Sequence, residues 1–295
     1  MENLTNCPAC SANNSHNHLE IKDHSVSGEV FKTMQCGNCS LIYTNPRPEA
    51  EALGPYYESE DYISHTNNTR TLFEKAYHIV RSYMLKQKWK AIAKHQHRTN
   101  SLLDIGAGTG AFLKHVQHKV ELIQGVEPSD KARKIAEKQL GITLSSSLNA
   151  VVNKDFDCIT LWHVLEHLPE LRSDLDKINQ LLKDEGLLII AVPNPDSYDA
   201  KTYKDFWAAY DVPRHLYHFT KDSLDKLIQS YNFEKVETRN MPFDSFYVSL
   251  LSAKYQKSSK LKAILTAAIS NMKGLNSKNQ SSLIHIYRKK PNKAV

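Results

Sequence analysis

The stretch that most constrains this chain is Leu102-Leu103-Asp104-Ile105-Gly106-Ala107-Gly108-Thr109-Gly110-Ala111-Phe112-Leu113. An apolar run ends in Asp104, three glycines follow at alternate positions, and Phe112, Leu113 and Val116 then recur at helical spacing. That order reads as a strand, a tight turn and the start of a helix. Glycine allows positive φ and lets a ligand come close to the main chain. The helix start adds unpaired N–H groups and the positive end of a dipole. A glycine turn alone is common, but a second strand, Leu122-Ile123-Gln124-Gly125-Val126, ends in Glu127. Glu127 stands about 20 residues beyond Gly106, where nucleoside-binding sheets place a carboxylate on the ribose hydroxyls.

Strand and helix patterns alternate around this turn, which predicts an α/β fold with a parallel sheet. Strands are expected over 101–105, 121–127, 156–161 and 186–192, and helices over 111–117, 130–139 and 171–182. Ser129 is placed to cap the second of these helices, and Thr220 to cap a helix over 221–231. A short third strand is expected near 141–144, and strands over 235–239 and 282–289 would finish the sheet. Between those two lies an insertion, 245–278, that reads as two helices with lysines between them. A lid, a dimer contact and a membrane-surface helix are all open to it.

The spacing Asp-x-Gly-x-Gly-x-Gly departs from the dinucleotide fingerprint, which argues against a pyrophosphate ligand. It resembles the first motif of class I S-adenosylmethionine-dependent methyltransferases, and the resemblance runs over about residues 102–289. Glu127 matches the ribose acid, and Phe156-Asp157-Cys158-Ile159-Thr160-Leu161 the fourth strand. The resemblance implies a Rossmann-like, seven-stranded sheet with S-adenosyl-L-methionine as cofactor. Asp104, Gly106, Ala107, Gly108, Gly110, Glu127, Pro128, Ser147, Trp162 and His163 would surround it. Many relatives carry an acid after the third strand for adenine; here only Ser145-Ser146-Ser147-Leu148 is on offer. Trp162-His163-Val164-Leu165-Glu166-His167-Leu168 resembles the post-strand segment of quinone-biosynthesis O-methyltransferases, implying contact with the methionine or methyl part. Its His163-x-x-Glu166-His167 spacing matches an inverted zinc-protease pattern, but the flanking motifs describe a different fold.

Ahead of this domain, Cys7-Pro8-Ala9-Cys10 and Cys36-Gly37-Asn38-Cys39 form two knuckles separated by 25 residues. Two such pairs suit one tetrahedral Zn²⁺ with four thiolates and no open position. A redox pair would need a βαβ context, and disulfides fit poorly with the cytoplasmic setting expected from an N-terminus without a secretory pattern. His16, His18 and His24 lie between the knuckles, and Cys158 sits in an apolar strand as an inert thiol. Residues 1–50 are therefore expected to form a zinc module, 51–98 a helical linker or cap, and 99–295 the cofactor domain. In the linker, the aromatic run from Tyr56 to Tyr62 is expected to pack the module onto the main domain. Residues 71–97 read as a bridging amphipathic helix with a solvated basic face.

Beyond the fifth strand, Tyr210, Asp211, Arg214, His215, Tyr217 and His218 fall within nine residues. A loop there should overhang the carboxyl edge of the sheet, where open α/β folds bind ligands. His215 and His218, supported by Tyr210, are the expected catalytic groups, one histidine acting as general base. His167 and His163 compete for that role, and a metal shared with Glu166 is a further reading. The expected reaction is methyl transfer to a small-molecule acceptor of quinone, sugar or lipid type. Ribosomal-RNA methylation, with the zinc module gripping RNA, and a non-catalytic partner subunit are the rival readings. A net charge of +6 permits an anionic substrate, a membrane surface or nucleic acid without demanding any of them. The scattered basic residues, with no run of Arg and Lys interleaved with aromatics, argue against RNA, and the intact glycine motif with Glu127 argues against loss of catalysis. Composition and pattern leave the acceptor, the atom methylated and the oligomeric state open.

Overall fold

The computed structural model describes residues 1–57, 72–96, 98–153 and 155–291, and of 72–77 the backbone only. Its main sheet has the strand order β5-β4-β6-β7-β10-β9. These strands are β4 (Ser101–Ile105), β5 (Leu122–Val126), β6 (Phe156–Trp162), β7 (Leu182–Pro193), β9 (Phe233–Asn240) and β10 (Ser282–Lys289). The first four run parallel, and β10 is antiparallel to both of its neighbours. Every residue of β4 and β6 is buried, as continuous apolar strands covered on both faces should be. The sequence's third strand shrinks to one parallel bridge between Val126 and Ser145. The expected seven-stranded sheet is thus six strands with a bridge at the seventh position. The serine run that follows Leu144 offers little apolar surface for a longer ladder.

Helices α2 (Ala111–Val116), α3 (Asp130–Leu140), α4 (Leu171–Leu181) and α6 (Lys221–Gln229) lie where the pattern predicts. Ser129 Oγ accepts from the Ala132 amide, and Thr220 Oγ1 from the Ser223 amide, so both predicted caps form. The bridging helix α1 spans Leu72–Ala93 and sets Met84, Leu85, Trp89, Ala91 and Ile92 against the core, while Ile79 and Tyr83 face outward. Of the expected apolar stripe, the Leu72 and Ala76 side chains lie outside the described residues, as does the aromatic run beyond Tyr57. A short helix, α5 (Tyr198–Tyr203), precedes the histidine loop. The insertion forms α7 (Asp244–Tyr255) and α8 (Lys260–Ser277), which pack on each other and bury small residues such as Ser249 and Ala253 of α7 and Ala263 and Ala267 of α8. Leu261, Leu265, Met272 and Leu275 of α8 point into solvent. No described helix is long and apolar enough to cross a membrane.

The N-terminal segment contributes β1 (Ser15–Lys22), β2 (Val30–Cys36) and β3 (Ile42–Thr44) to a second, four-stranded sheet. Its fourth strand, β8, is Tyr217–His218 from the far end of the histidine loop, with Ile42 opposite His218 and Tyr43 opposite Tyr217. The loop and the N-terminal module therefore share one sheet. Two buried arginines reinforce the seam. Arg47 donates to the Tyr217 hydroxyl at 2.8 Å, to Glu2 at 2.6 Å and to the Pro169 carbonyl at 3.2 Å. Arg214 pairs through Nη2 with Asp23 at 2.9 Å and with Asp211 at 2.7 Å, and donates to the Tyr56 carbonyl at 2.9 Å.

Burial alone would raise the Asp23 carboxyl, but the Arg214 guanidinium and the amides of Ser27 and Ser25 outweigh it and hold the group at about 2. A carboxylate depressed from its ordinary ~3.9 adds stability above that value and loses it as pH falls through the folded value. Asp23→Ala should leave Arg214 buried with one partner fewer and cost about 3–5 kcal/mol. Denaturant unfolding at neutral pH checks the cost. Melts taken from pH 4 down to pH 2 should show less acid-dependent loss in the variant than in the parent chain.

Candidate active site

The turn after β4 is stitched to the end of β5: the amides of Gly106 and Ala107 both donate to the Val126 carbonyl, at 2.8 and 2.9 Å. Gly106 has φ +71°, and a Cβ there would stand 2.3 Å from Val164 Cγ2. Gly108, at φ +55°, would meet nothing within 4 Å. The first glycine is thus required by packing, and the second faces open space. Glu127 closes the turn from β5: its Oε2 accepts from the Gly108 amide at 2.7 Å and its Oε1 from the Ser129 amide at 2.9 Å. Arg133 holds the carbonyls of Glu127 and Pro128 at 2.8 and 3.1 Å, fixing the approach to α3.

Asp104 lies beneath the turn, fully buried, and accepts from Thr160 Oγ1 of β6 at 2.6 Å. Burial raises its carboxyl to about 7, against the opposing pull of Thr160 and Lys88. Lys88, from α1, holds its ammonium 4.5 Å from the centre of the Trp162 ring, and burial lowers its pKa. Trp162 ends β6 with its indole N–H buried and without a hydrogen-bond partner among the described residues. Phe112 packs on it edge to face at 5.3 Å. Ser147 is exposed, two residues beyond the Val126–Ser145 bridge and just before a 3₁₀ turn.

The segment after β6 carries the charge. His163, with φ +59°, sets Nδ1 3.3 Å from Glu166 Oε1 and Nε2 3.1 Å from Asp244 Oδ2. Burial alone would lower its pKa, but the two carboxylates outweigh it and raise the imidazole to about 9. A cationic His163 therefore ties the insertion, through Asp244 at the start of α7, to this segment.

Next to it, His167 and His215 meet edge to face with ring centres 4.5 Å apart. His167 Nδ1 lies 2.9 Å from the Arg214 carbonyl and 3.0 Å from the Tyr57 hydroxyl, and His215 Nδ1 lies 2.9 Å from the Ala209 carbonyl. Burial and the neighbouring His215 push the His167 imidazole down to about 4. His218 sits a layer away, its ring 5.1 Å from that of Tyr210. Burial holds its pKa well below the ordinary histidine value, and raises the Tyr210 phenol to about 12. The expected catalytic residues therefore fall into two pairs, His167 with His215 and Tyr210 with His218. Lys88 and Asp244 were missed in the sequence reading. Neither carries a local signal, since each reaches the site only through the packing of its helix.

In the N-terminal module, the Cys7 and Cys39 sulfurs are 3.6 Å apart, as are those of Cys10 and Cys36. All four sulfurs lie within 4.8 Å of one another. The Asn38 amide and side-chain nitrogen approach Cys36 Sγ and Cys10 Sγ at 3.4 and 3.5 Å.

An open, mostly parallel sheet whose glycine turn is closed by an acid at the end of the next strand defines a Rossmann-like, nucleoside-binding domain. The family model described as "Methyltransferase domain" matches residues 77–238, and the chain belongs to that family. An uncharacterized methyltransferase of Alkaliphilus oremlandii is 31% identical over 107 residues, covering 35% of this chain and 48% of the relative. One of Schizosaccharomyces pombe is 24% identical over 189 residues, 58% of this chain and 66% of the relative. The chain spans about half the length of relatives such as the first, with 48% covered. Among solved structures, magnesium protoporphyrin IX methyltransferase from Synechocystis PCC 6803 with bound SAH superposes with a TM-score of 0.51 at 13% identity. The superposition covers 76% of this chain and 90% of that one, and at that identity it speaks for the fold alone.

The two glycines should separate folding from binding. A left-handed non-glycine residue costs roughly 1–2 kcal/mol. Gly106→Ala should exceed this through its clash with Val164, and Val164→Ala should recover part of the loss in a double-mutant cycle. Gly108→Ala should cost no more than the conformational term in chemical denaturation, yet weaken nucleoside binding in calorimetry.

Proposed function

We propose that the protein transfers a methyl group from S-adenosyl-L-methionine to a small-molecule acceptor. The observation that carries this reading is Glu127, whose carboxylate spans the amides of Gly108 and Ser129 while Gly108 opens on empty space. Each carboxylate oxygen keeps a lone pair that a ribose hydroxyl can use. The turn from Gly106 to Gly110, with Asp104 beneath, seats the nucleoside against the open face at Gly108, and Pro128 and Ser147 border its adenine end. The orphan indole N–H of Trp162 and the imidazolium of His163 face the methionine end. When bound, the cofactor supplies an electrophilic methyl group on a sulfonium.

The chain's own residues then have three tasks. His163, held cationic between Glu166 and Asp244, fixes the post-strand segment. Trp162, with Lys88 over its face, shuts water from one side. The His167–His215 pair orients the acceptor, and the buried Glu166 carboxylate offsets the positive charge that arises when the acceptor's proton leaves toward an imidazole. Tyr210 and His218 form the wall behind this layer and complete the set of candidate catalytic groups. A quinone-like, sugar-like or lipid-like acceptor fits the reading. The exposed apolar face of α8, within the insertion 245–278, is where we place any contact with a membrane surface. The basic residues are scattered along the sequence, without the run of Arg and Lys interleaved with aromatics that argues for RNA binding.

We assign Cys7, Cys10, Cys36 and Cys39 to one Zn²⁺. Four sulfurs at ~2.3 Å from a tetrahedral ion stand about 3.8 Å apart, close to the 3.6 Å observed. Asn38 donates to two of them as an outer partner. The ion is structural: residues 1–50 hold it, the linker 51–98 follows, and residues 99–295 bind the cofactor. Four protein ligands leave it no position for a substrate.

Calorimetry with S-adenosylhomocysteine tests the cofactor assignment. Removing a charge-assisted pair of hydrogen bonds costs about 1.5–3 kcal/mol per bond, so Glu127→Ala should weaken binding by at least about tenfold. Unchanged affinity would refute the site.

A further inference from the structure

We propose that Glu166, His167 and His215 form a second metal site, a two-histidine, one-carboxylate seat for a divalent transition ion that takes the oxygen of a hydroxylated acceptor. One ligand atom from each of the three lies within 4.8 Å of the others. Glu166 has no exposed surface, and neither carboxylate oxygen makes a hydrogen bond among the described residues. Its one polar approach is the 3.3 Å ion pair with His163. His163 shares its charge with Asp244 and approaches one Glu166 oxygen only, so the buried carboxylate keeps lone pairs for a further cation or donor.

The two histidines are held in the way metal-ligating histidines are held. A backbone carbonyl can only accept, so the carbonyls of Arg214 and Ala209 place the proton of each ring on Nδ1. The lone pair of each ring is then left on Nε2. An outer carbonyl that fixes tautomer and ring direction is the usual companion of a ligating imidazole. The seat is also fixed along the backbone. Glu166 and His167 follow β6 and His215 precedes β8, and the Leu216 amide donates to the Glu166 carbonyl at 2.8 Å. Neutral imidazoles with one carboxylate suit Fe²⁺, Co²⁺ or Zn²⁺, and three protein ligands leave positions open, unlike the closed set of four cysteines.

This inference rests on the methyl-transfer reading and names its acceptor class, a phenol or enol oxygen. The acceptor O–H gives its proton to water as the oxygen joins the ion. An oxygen lone pair forms the O–CH₃ bond, the S–CH₃ bond breaks, its electron pair stays on sulfur, and the sulfonium ends as a neutral thioether. The ion replaces the transferred proton as the charge that Glu166 offsets, and the histidines act as ligands rather than as bases.

The purified chain, dialysed against a mild chelator that leaves the four-thiolate zinc in place, is titrated with Co²⁺ and read by visible absorption. The wild type should bind cobalt with weak ligand-field bands and no sulfur charge-transfer band. The isosteric Glu166→Gln variant and His215→Ala should each weaken that uptake by at least about 10–100-fold, the loss that removal of even an outer partner causes. A wild type that takes up cobalt only through thiolates overturns the proposal, as does uptake that persists in both variants. The wild-type titration decides even where a variant fails to fold. Calorimetry of the cobalt-free protein with S-adenosylhomocysteine reports on the cofactor reading separately. Cofactor binding without the cobalt site removes the metal alone, and absent cofactor binding removes the methyl-transfer reading on which the acceptor depends.

Discussion

The carboxylate of Glu127 is the contact on which the site depends. At the carboxyl edge of a parallel sheet, the turn after β4 and the start of α3 both present main-chain amides with no partner in the ladder or the helix. Glu127 takes one from each, Gly108 and Ser129, and so binds the turn and the helix start into one rim. The turn is held from the other side by the Val126 carbonyl. The chain's own hydrogen bonds thus hold the rim together, and a site fixed in this way lowers the entropic cost of binding.

The N-terminal module acts on the same edge from a distance. Its third strand takes up Tyr217 and His218 as a partner, and Arg214 and Arg47 pin the loop on either side of that strand. His215, between Arg214 and β8, is thereby fixed against His167 and Glu166. The four cysteines sit far along the chain from the histidines yet stiffen the sheet that positions them. The Zn²⁺ proposed for these cysteines would thereby help set the geometry of the histidine layer without touching it.

Local signals were legible in the sequence and long-range ones were not. The glycine turn, Glu127, the caps at Ser129 and Thr220 and the cysteine knuckles each depend on neighbours a few residues away, and spacing alone reveals them. The third strand near 141–144 was legible only as a weak pattern, and it survives as a single bridge at Ser145. The stretch around Tyr217 and His218 read as loop because its strand partner lies in β3, some 170 residues earlier, where periodicity cannot reach. Asp244 stands just ahead of the 245–278 insertion with no motif around it, and Lys88 is one lysine among many on a face that reads as solvated. Only the packing of α7 and α1 brings them to His163 and Trp162. Glu166 was visible, but not that its carboxylate would be buried without a hydrogen bond.

In the reading proposed above, this rim receives the adenosyl part of S-adenosylmethionine. Amide NMR of the labelled chain during titration with S-adenosylhomocysteine tests it most directly. Saturable shifts should concentrate at Gly106, Gly108 and Ser129, with the indole N–H of Trp162 moving as it gains a neighbour. Saturable binding that leaves those amides unmoved and shifts residues elsewhere would contradict it.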